Sequence, residues 1–176
     1  MLVIVGPSAS GKTQIVQQLI KNYKMEKLVT YTTRPMRVGE VDGKDYHFIS
    51  KEEFDKRLNE NFFIEHVCYN GNCYGTSRSD LSDNKVVILE PTGLKHYLLE
   101  ARDQIKVVFL KCSKEVLGIR MKIRGDKNED IMKRLASDGN VFNSEVSKLA
   151  DLVIDTTPSN IYNDTETIYN FYINQK

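Results

Sequence analysis

Eight residues near the start carry the strongest chemical signal in the chain. Gly6-Pro7-Ser8-Ala9-Ser10-Gly11-Lys12-Thr13 follows the apolar run Leu2-Val3-Ile4-Val5 and precedes a segment with helical spacing. G-x-x-x-x-G-K-[ST] between a strand and a helix is the pattern of a phosphate-binding loop. Gly6 and Gly11 lack a Cβ, so the backbone can curl and aim its N–H groups at phosphate oxygens. The helix opening after Gly11 adds the positive end of its dipole. Lys12 supplies a compact cation for the β- and γ-phosphates of a nucleoside triphosphate, and Thr13 a hydroxyl for Mg²⁺. This loop specifies a phosphoryl donor and leaves the acceptor open.

Groups for an acceptor lie further along. Arg34 and Arg37 are three apart, with Tyr46 and Tyr74 downstream. Guanidinium forks match phosphate oxygens bidentately and stay charged, so the four could clamp a phosphate. Solvated loop arginines and half-buried tyrosines are the other reading. Glu65 lies in an apolar strand beside Ile64, where it faces solvent or reads a base. One carboxylate can accept both N1–H and N2–H of guanine while refusing the N1 acceptor of adenine, and Thr30 or Thr76 could donate to guanine O6. Glu90 ends a central strand at the carboxyl edge, where open α/β sheets bind ligands. It is either a metal-linked or acceptor-binding carboxylate, or an acid favoured at a helix N-terminus ahead of Pro91. Arg120, Arg124 and Arg134 could stabilise the charge that phosphoryl transfer spreads over equatorial oxygens. On a hinged lid they would also exclude water. A solvated basic helix pair is the alternative, and Arg120 is the first to be given to it.

The elements that must position these groups follow from periodicity. A helix is expected over residues 12–23, with Ile15, Val16, Leu19 and Ile20 facing the sheet. Residues 28–31 read as a second strand and 32–40 as a loop punctuated by Pro35 and Gly39. Residues 46–49 form a short strand. Ser50 with Glu53 is a capping box, opening a helix to about residue 58 with Phe54 and Leu58 inward. Residues 62–69 and 73–76 form a hairpin about Asn70-Gly71. Residues 86–89 and 105–110 are apolar runs suited to central parallel strands. Val116, Ile119 and Ile123 carry a helix into Arg124-Gly125-Asp126. A second starts near Glu129 with Ile131 and Leu135 apolar, and Asp138-Gly139-Asn140 should break it before a short helix to about residue 149. Residues 152–154 are the last strand, and 159–174 close the chain with Ile161, Ile168, Tyr169 and Tyr172 packing. Strands alternating with helices predict an α/β fold with a central parallel, doubly wound sheet. One domain is expected over 1–176: a core of 1–31, 84–112 and 148–176, a mixed α/β insertion at 32–83, and a helical lid at 113–147.

Composition bounds the alternatives. The chain has 176 residues and a formal net charge of +1, so no global field favours nucleic acid or a membrane surface. No apolar run approaches a membrane span, and no basic stretch precedes the first apolar one, so no signal peptide is expected. Cys68, Cys73 and Cys112 form no evident framework and fit a reducing cytosol. His66 with Cys68 and Cys73 lacks the fourth ligand and the tight spacing of a zinc site. The two hairpin cysteines read as strand residues beside a turn.

Taken together, these residues resemble the guanylate kinases over nearly the whole chain. The likeness is carried by the loop from Gly6 to Thr13, the run Thr32-Thr33-Arg34-Pro35-Met36-Arg37-Val38-Gly39-Glu40, Gly43-Lys44-Asp45-Tyr46-His47-Phe48, Phe63-Ile64-Glu65 and Gly71-Asn72-Cys73-Tyr74-Gly75-Thr76. Arg120-Met121-Lys122-Ile123-Arg124-Gly125 and the stretch 131–135 fit the lid. The resemblance implies a P-loop three-layer fold and Mg²⁺-dependent transfer from ATP to GMP or dGMP. It implies that Arg34, Arg37, Tyr46 and Tyr74 hold the GMP phosphate, with Glu40 supporting their loop. It gives guanine to Glu65 with Thr30 and Thr76, and a further acceptor-side place to Glu90. Lys12, Arg124 and Arg134 would surround the transferring group. Arg120 matches a further lid arginine, and Asp155 falls near the adenine side. A cytoplasmic monomer or homodimer is expected.

The family pattern D-x-D-x-x-G is met here by Ile88-Leu89-Glu90-Pro91-Thr92-Gly93, so the first acid is absent and the second is lengthened. A nucleotide kinase of altered acceptor specificity therefore stays open. Open too is a non-catalytic guanylate-kinase-like binding module, although such modules generally lack a working phosphate loop. A nucleic-acid-binding P-loop protein is poorly served by the charge.

Overall fold

The computed structural model describes residues 1–69, 71–158 and 160–175. Its centre is a parallel sheet of five strands: β1 (Leu2–Val5), β2 (Glu26–Lys27), β7 (Lys85–Ile88), β8 (Lys106–Lys111) and β9 (Leu152–Asp155). They lie in the order β2-β7-β1-β8-β9, with Leu2 in register with Val86 on one side and Lys106 on the other. β1 is central, and all four of its residues are buried. Successive strand side chains point to opposite faces, and the core divides accordingly. Val3 and Val5 pack with Leu94 and Tyr97 of α3 (Pro91–Ala101). Leu2 and Ile4 pack with Ile15 and Leu19 of α1 (Lys12–Tyr23) and with Ile168 and Tyr172 of α7 (Ile161–Ile173). An unbroken apolar run is what a strand covered on both faces needs.

A second sheet, from the region expected as an insertion at 32–83 and reaching back to Tyr31, is built from β3 (Tyr31–Thr32), β4 (His47–Phe48), β5 (Phe63–Tyr69) and β6 (Asn72–Ser77) in the order β4-β3-β6-β5. Ser50 caps α2 (Lys51–Asn59) by accepting from the Glu53 N–H, as the capping box predicts. Phe54 of that helix stacks on Phe63 at 4.5 Å. Ile64 of β5 belongs to the same core cluster as Tyr97. The insertion is therefore seated on the main domain through α3. Residues 113–147, expected as a lid, form α4 (Lys114–Ile123), α5 (Asn128–Val141) and the short α6 (Ser144–Ser147).

Several expectations are corrected. Residues 28–31 are not one strand: Glu26–Lys27 pair with β7, and only Tyr31–Thr32 resume pairing, in the other sheet. The chain changes sheets between them, and Thr30 lies at that crossing. Ile20 and Leu58 sit at the margin of their helices' buried faces and are exposed. In α4 the inward stripe is Leu117 and Met121, which meet Ile131 and Ala9; Ile119 and Ile123 face outward. Two apolar stripes compete on this helix, and contact with the loop decides between them. Asp138-Gly139-Asn140 do not break α5. An interior glycine costs about 1 kcal/mol against alanine, but Phe142 just beyond packs against the main core, and Asp138 finds a partner described below. The pairing of Cys68 with Cys73 also corrects the reading of unlinked cysteines. They are register partners across the β5–β6 pair. Asn70 itself lies outside the described residues. With this disulfide, cysteine usage no longer argues for a reducing compartment; Cys112 is a free thiol.

Candidate active site

β1, β7 and β8 end at the same edge, so the loop after β1, Glu90 after β7 and the lid after β8 meet there. Gly6 has φ 156° and Gly11 φ 101°, with Ala9 at 62°. A Cβ on Gly6 would stand 2.6 Å from the Leu110 carbonyl oxygen, so the motif glycine is required by β8 as well as by phosphate. Lys12 turns its Nζ back onto the Gly6 and Pro7 carbonyls, at 2.6 and 2.7 Å. Burial lowers its pKa, and the fields of Glu90 and Asp138 oppose that shift. Ser8 donates its N–H to Asp138 Oδ2 at 2.6 Å. Beside the loop opens a cleft of about 710 Å³ lined by Ser8, Gly11, Lys12, Thr13, Arg120 and Arg124.

Thr13 is exposed at the start of α1 and lines this cleft. Among the described residues no group of three or more His, Cys, Asp or Glu could cage a metal. That donor set fits Mg²⁺ carried by a nucleotide, since the ion keeps waters and phosphate oxygens and takes only one or two protein ligands.

Arg124 and Arg134 share one carboxylate, and Arg120 bonds elsewhere. Arg124 donates from Nε to Asp126 Oδ1 at 3.0 Å and closes a second bond to Oδ2. Arg134 reaches the same carboxylate at 3.5 Å. Arg120, the arginine most readily read as a solvated surface residue, is half-buried. It donates to Thr156 O at 2.6 Å and Ala9 O at 3.3 Å, and so ties α4 to the phosphate loop. Asp155, at the end of β9, accepts from the Thr157 N–H at 2.9 Å.

On the acceptor side, Arg34 donates to Glu40 Oε1 at 2.6 Å, and Glu40 Oε2 accepts from the Arg37 N–H at 2.7 Å. One carboxylate thus folds the arginine loop. The Arg34 guanidinium lies 5.4 Å from the Tyr46 ring centre, and Tyr46 lies 6.0 Å from Tyr74. Those three groups form one cluster, while Arg37 stays at the exposed rim. Thr76 donates to Glu65 Oε1 at 2.9 Å across the β5–β6 pair. Thr30, Tyr46 and Ile88 line a smaller cleft of about 170 Å³. Glu90 is the N-cap residue of α3 but makes no side-chain capping bond.

Three residues escaped the sequence reading. Asp126 and Asp138 read as turn formers, and Tyr97 carries no expectation of its own. The i, i+4 relation of Arg134 to Asp138 was the available signal for Asp138, since it places both on one face of α5.

The chain matches the family model described as Guanylate kinase over residues 1–167. A guanylate kinase of Clostridium perfringens (strain SM101 / Type A) is 40% identical over 145 residues, covering 78% of this chain and 67% of its own. One from Onion yellows phytoplasma is 35% identical over 175 residues, covering 88% and 82%. The crystal structure of guanylate kinase from Anaplasma phagocytophilum superposes with a TM-score of 0.69 at 25% identity, covering 99% of this chain and 85% of that one.

Proposed function

This chain belongs to the guanylate kinase family, a family of nucleoside monophosphate kinases, and from that premise we propose how its residues act on ATP and GMP. GMP, or dGMP, takes the γ-phosphoryl group of ATP, giving GDP, or dGDP, and ADP. The observation that supports this assignment is the disposition of two cationic clusters. The phosphate loop with Lys12 lies at the edge of the main sheet, and the Arg34–Tyr46–Tyr74 cluster lies in the second sheet seated on α3.

In this reading the loop N–H groups and Lys12 hold the ATP phosphates, and Arg34, Arg37, Tyr46 and Tyr74 hold the phosphate of GMP. Glu40 keeps the two arginines together. Glu65 accepts from guanine N1–H and N2–H, with Thr30 and Thr76 beside it and Glu90 at the neighbouring strand end. An oxygen of the GMP phosphate attacks the γ-phosphorus as the bond to the β,γ-bridging oxygen breaks. Lys12, Arg124 and Arg134 stabilise the charge shared by the equatorial oxygens. Thr13 would supply the chain's oxygen for a Mg²⁺ carried by the triphosphate, an ion that would neutralise phosphate charge. Arg120 braces the loop on the ATP side, and Asp155 lies toward the adenine.

Ile88 on the wall of the smaller cleft favours a second reading, an acceptor range broader than GMP. A coupled ADP-release assay across GMP, dGMP, AMP, CMP, UMP and dTMP separates the two. Marked preference for the guanine nucleotides supports the first, and equal rates would sink it. We also infer a cytoplasmic monomer or homodimer acting on small molecules, with neither nucleic acid nor membrane as partner. Among the described residues no helix is long and apolar enough to cross a membrane.

A further inference from the structure

Tyr97 heads the fully buried side chains of the core, at 0% exposure. Its hydroxyl has no hydrogen-bond partner among the described residues. Buried phenols normally find one, because an unpaired donor carries its full desolvation penalty. The polar groups that act on this hydroxyl are Thr76, Glu65 and Asp80. Two of them are the pair assigned above to the base.

Thr76 has a single proton, and it is given to Glu65 Oε1. A lone hydroxyl can donate or accept. Left alone it can turn its proton off Glu65 and release the carboxylate that reads the guanine edge. A second donor aimed at the Thr76 oxygen fills one of its two lone pairs and favours the rotamer in which its own proton points to Glu65. Burial pushes the Tyr97 pKa up, so the phenol keeps its proton and serves as a donor.

We propose that Tyr97 is a specificity-determining positioning residue, whose O–H donates to Thr76 Oγ1 and holds the Thr76 proton on Glu65 Oε1, so that the carboxylate stays aligned to accept from guanine N1–H and N2–H. Tyr97 acts from a core helix on the acceptor sheet. Its polar contribution lies behind the base-reading pair, where an adenine-sized intruder never touches it. The rival destination for its proton is Asp80 Oδ2, a buried acceptor also without a partner.

This inference rests on the reading that Glu65 and Thr76 recognise the base. The experiment compares wild type, Tyr97→Phe, Thr76→Val and the double variant with GMP and AMP as acceptors. Tyr97→Phe should lower the GMP-to-AMP ratio of kcat/KM by roughly threefold to tenfold. KM for ATP and kcat with GMP should stay unchanged, and Tm should not fall. In the Thr76→Val background the same change should add nothing. An unchanged ratio with a raised Tm would show a merely structural hydroxyl, or one spent on Asp80, and would overturn the proposal. So would a full effect of Tyr97→Phe in the absence of the Thr76 hydroxyl. Wild type without a preference for GMP would instead overturn the base-reading assignment, and this proposal with it.

Discussion

Asp138 of the lid accepts the Ser8 N–H at 2.6 Å, which sets a carboxylate against a loop shaped for phosphate. The γ end of a triphosphate brings further negative charge to the same place. Two anions a few ångströms apart in a partly buried site repel by several kcal/mol at an effective dielectric constant of about 20. Asp138→Ala should therefore tighten ATP binding by about tenfold, read by calorimetry. Alanine also suits a helix interior better than aspartate, so Tm should hold or rise. An unchanged Kd would show that Asp138 keeps Ser8 while ATP is bound.

Asp126 gathers Arg124 and Arg134 on one carboxylate. The two guanidiniums are thereby held as a pair, each about half exposed. Arg124→Ala should lower kcat by roughly a thousandfold, within the range that arginines contribute to phosphoryl transfer. ATP affinity measured without acceptor should change little. Equal losses in kcat and ATP affinity would place Arg124 in ground-state binding instead.

The Glu40–Arg34 pair predicts a pH dependence with a definite sign. The hydrogen bond from Arg34, and after it the Arg37 N–H, lower the Glu40 pKa below its ordinary 4.5. A carboxylate depressed in this way gives its full contribution above the ordinary value and loses it only as pH falls through the depressed one. The ratio of GMP affinities of wild type and Glu40→Gln, in which titration of GMP itself cancels, should stay flat from neutral pH down to about 4.5 and shrink only below. A ratio that declines near pH 6 would assign the titration to another group.

The strand–loop–helix that carries Gly6 to Thr13 was legible because its residue types at fixed spacing mark it. Gly6 is readable since no other residue fits against Leu110. The sheet was legible because a strand buried on both faces leaves an unbroken apolar run. What escaped was set by contact between distant segments. Asp138-Gly139-Asn140 reads as a turn locally and becomes helix because Phe142 is anchored in the core and Asp138 is bonded to Ser8. Ile119 and Ile123 carry as strong a periodic signal as Leu117 and Met121, and only Ala9 and Ile131 choose between the stripes. Tyr97 looks like any core aromatic until the fold brings the polar groups of Thr76, Glu65 and Asp80 to act on its hydroxyl. The pairing of Cys68 with Cys73 needed the hairpin register.

Lys12 joins stability and turnover with opposite signs. Its ammonium is partly buried against the Gly6 and Pro7 carbonyls, and burial lowers its pKa from 10.5. Between the depressed value and 10.5 the unfolded chain binds more protons than the folded one, so this group makes stability rise with pH there. Catalysis needs the charged form, so kcat should fall across the same alkaline interval, beginning below the ordinary lysine value. Lys12→Ala removes both effects at once. It should cut kcat by at least about a thousandfold, as loss of a preorganised cation at the reacting phosphoryl demands. It should leave Tm near the wild-type value, because the charge it removes was already paying a desolvation cost. The alkaline rise in stability should then disappear from the difference between the two proteins. A variant that melted far below wild type would show instead that the ammonium bonds to Gly6 and Pro7 hold the loop together.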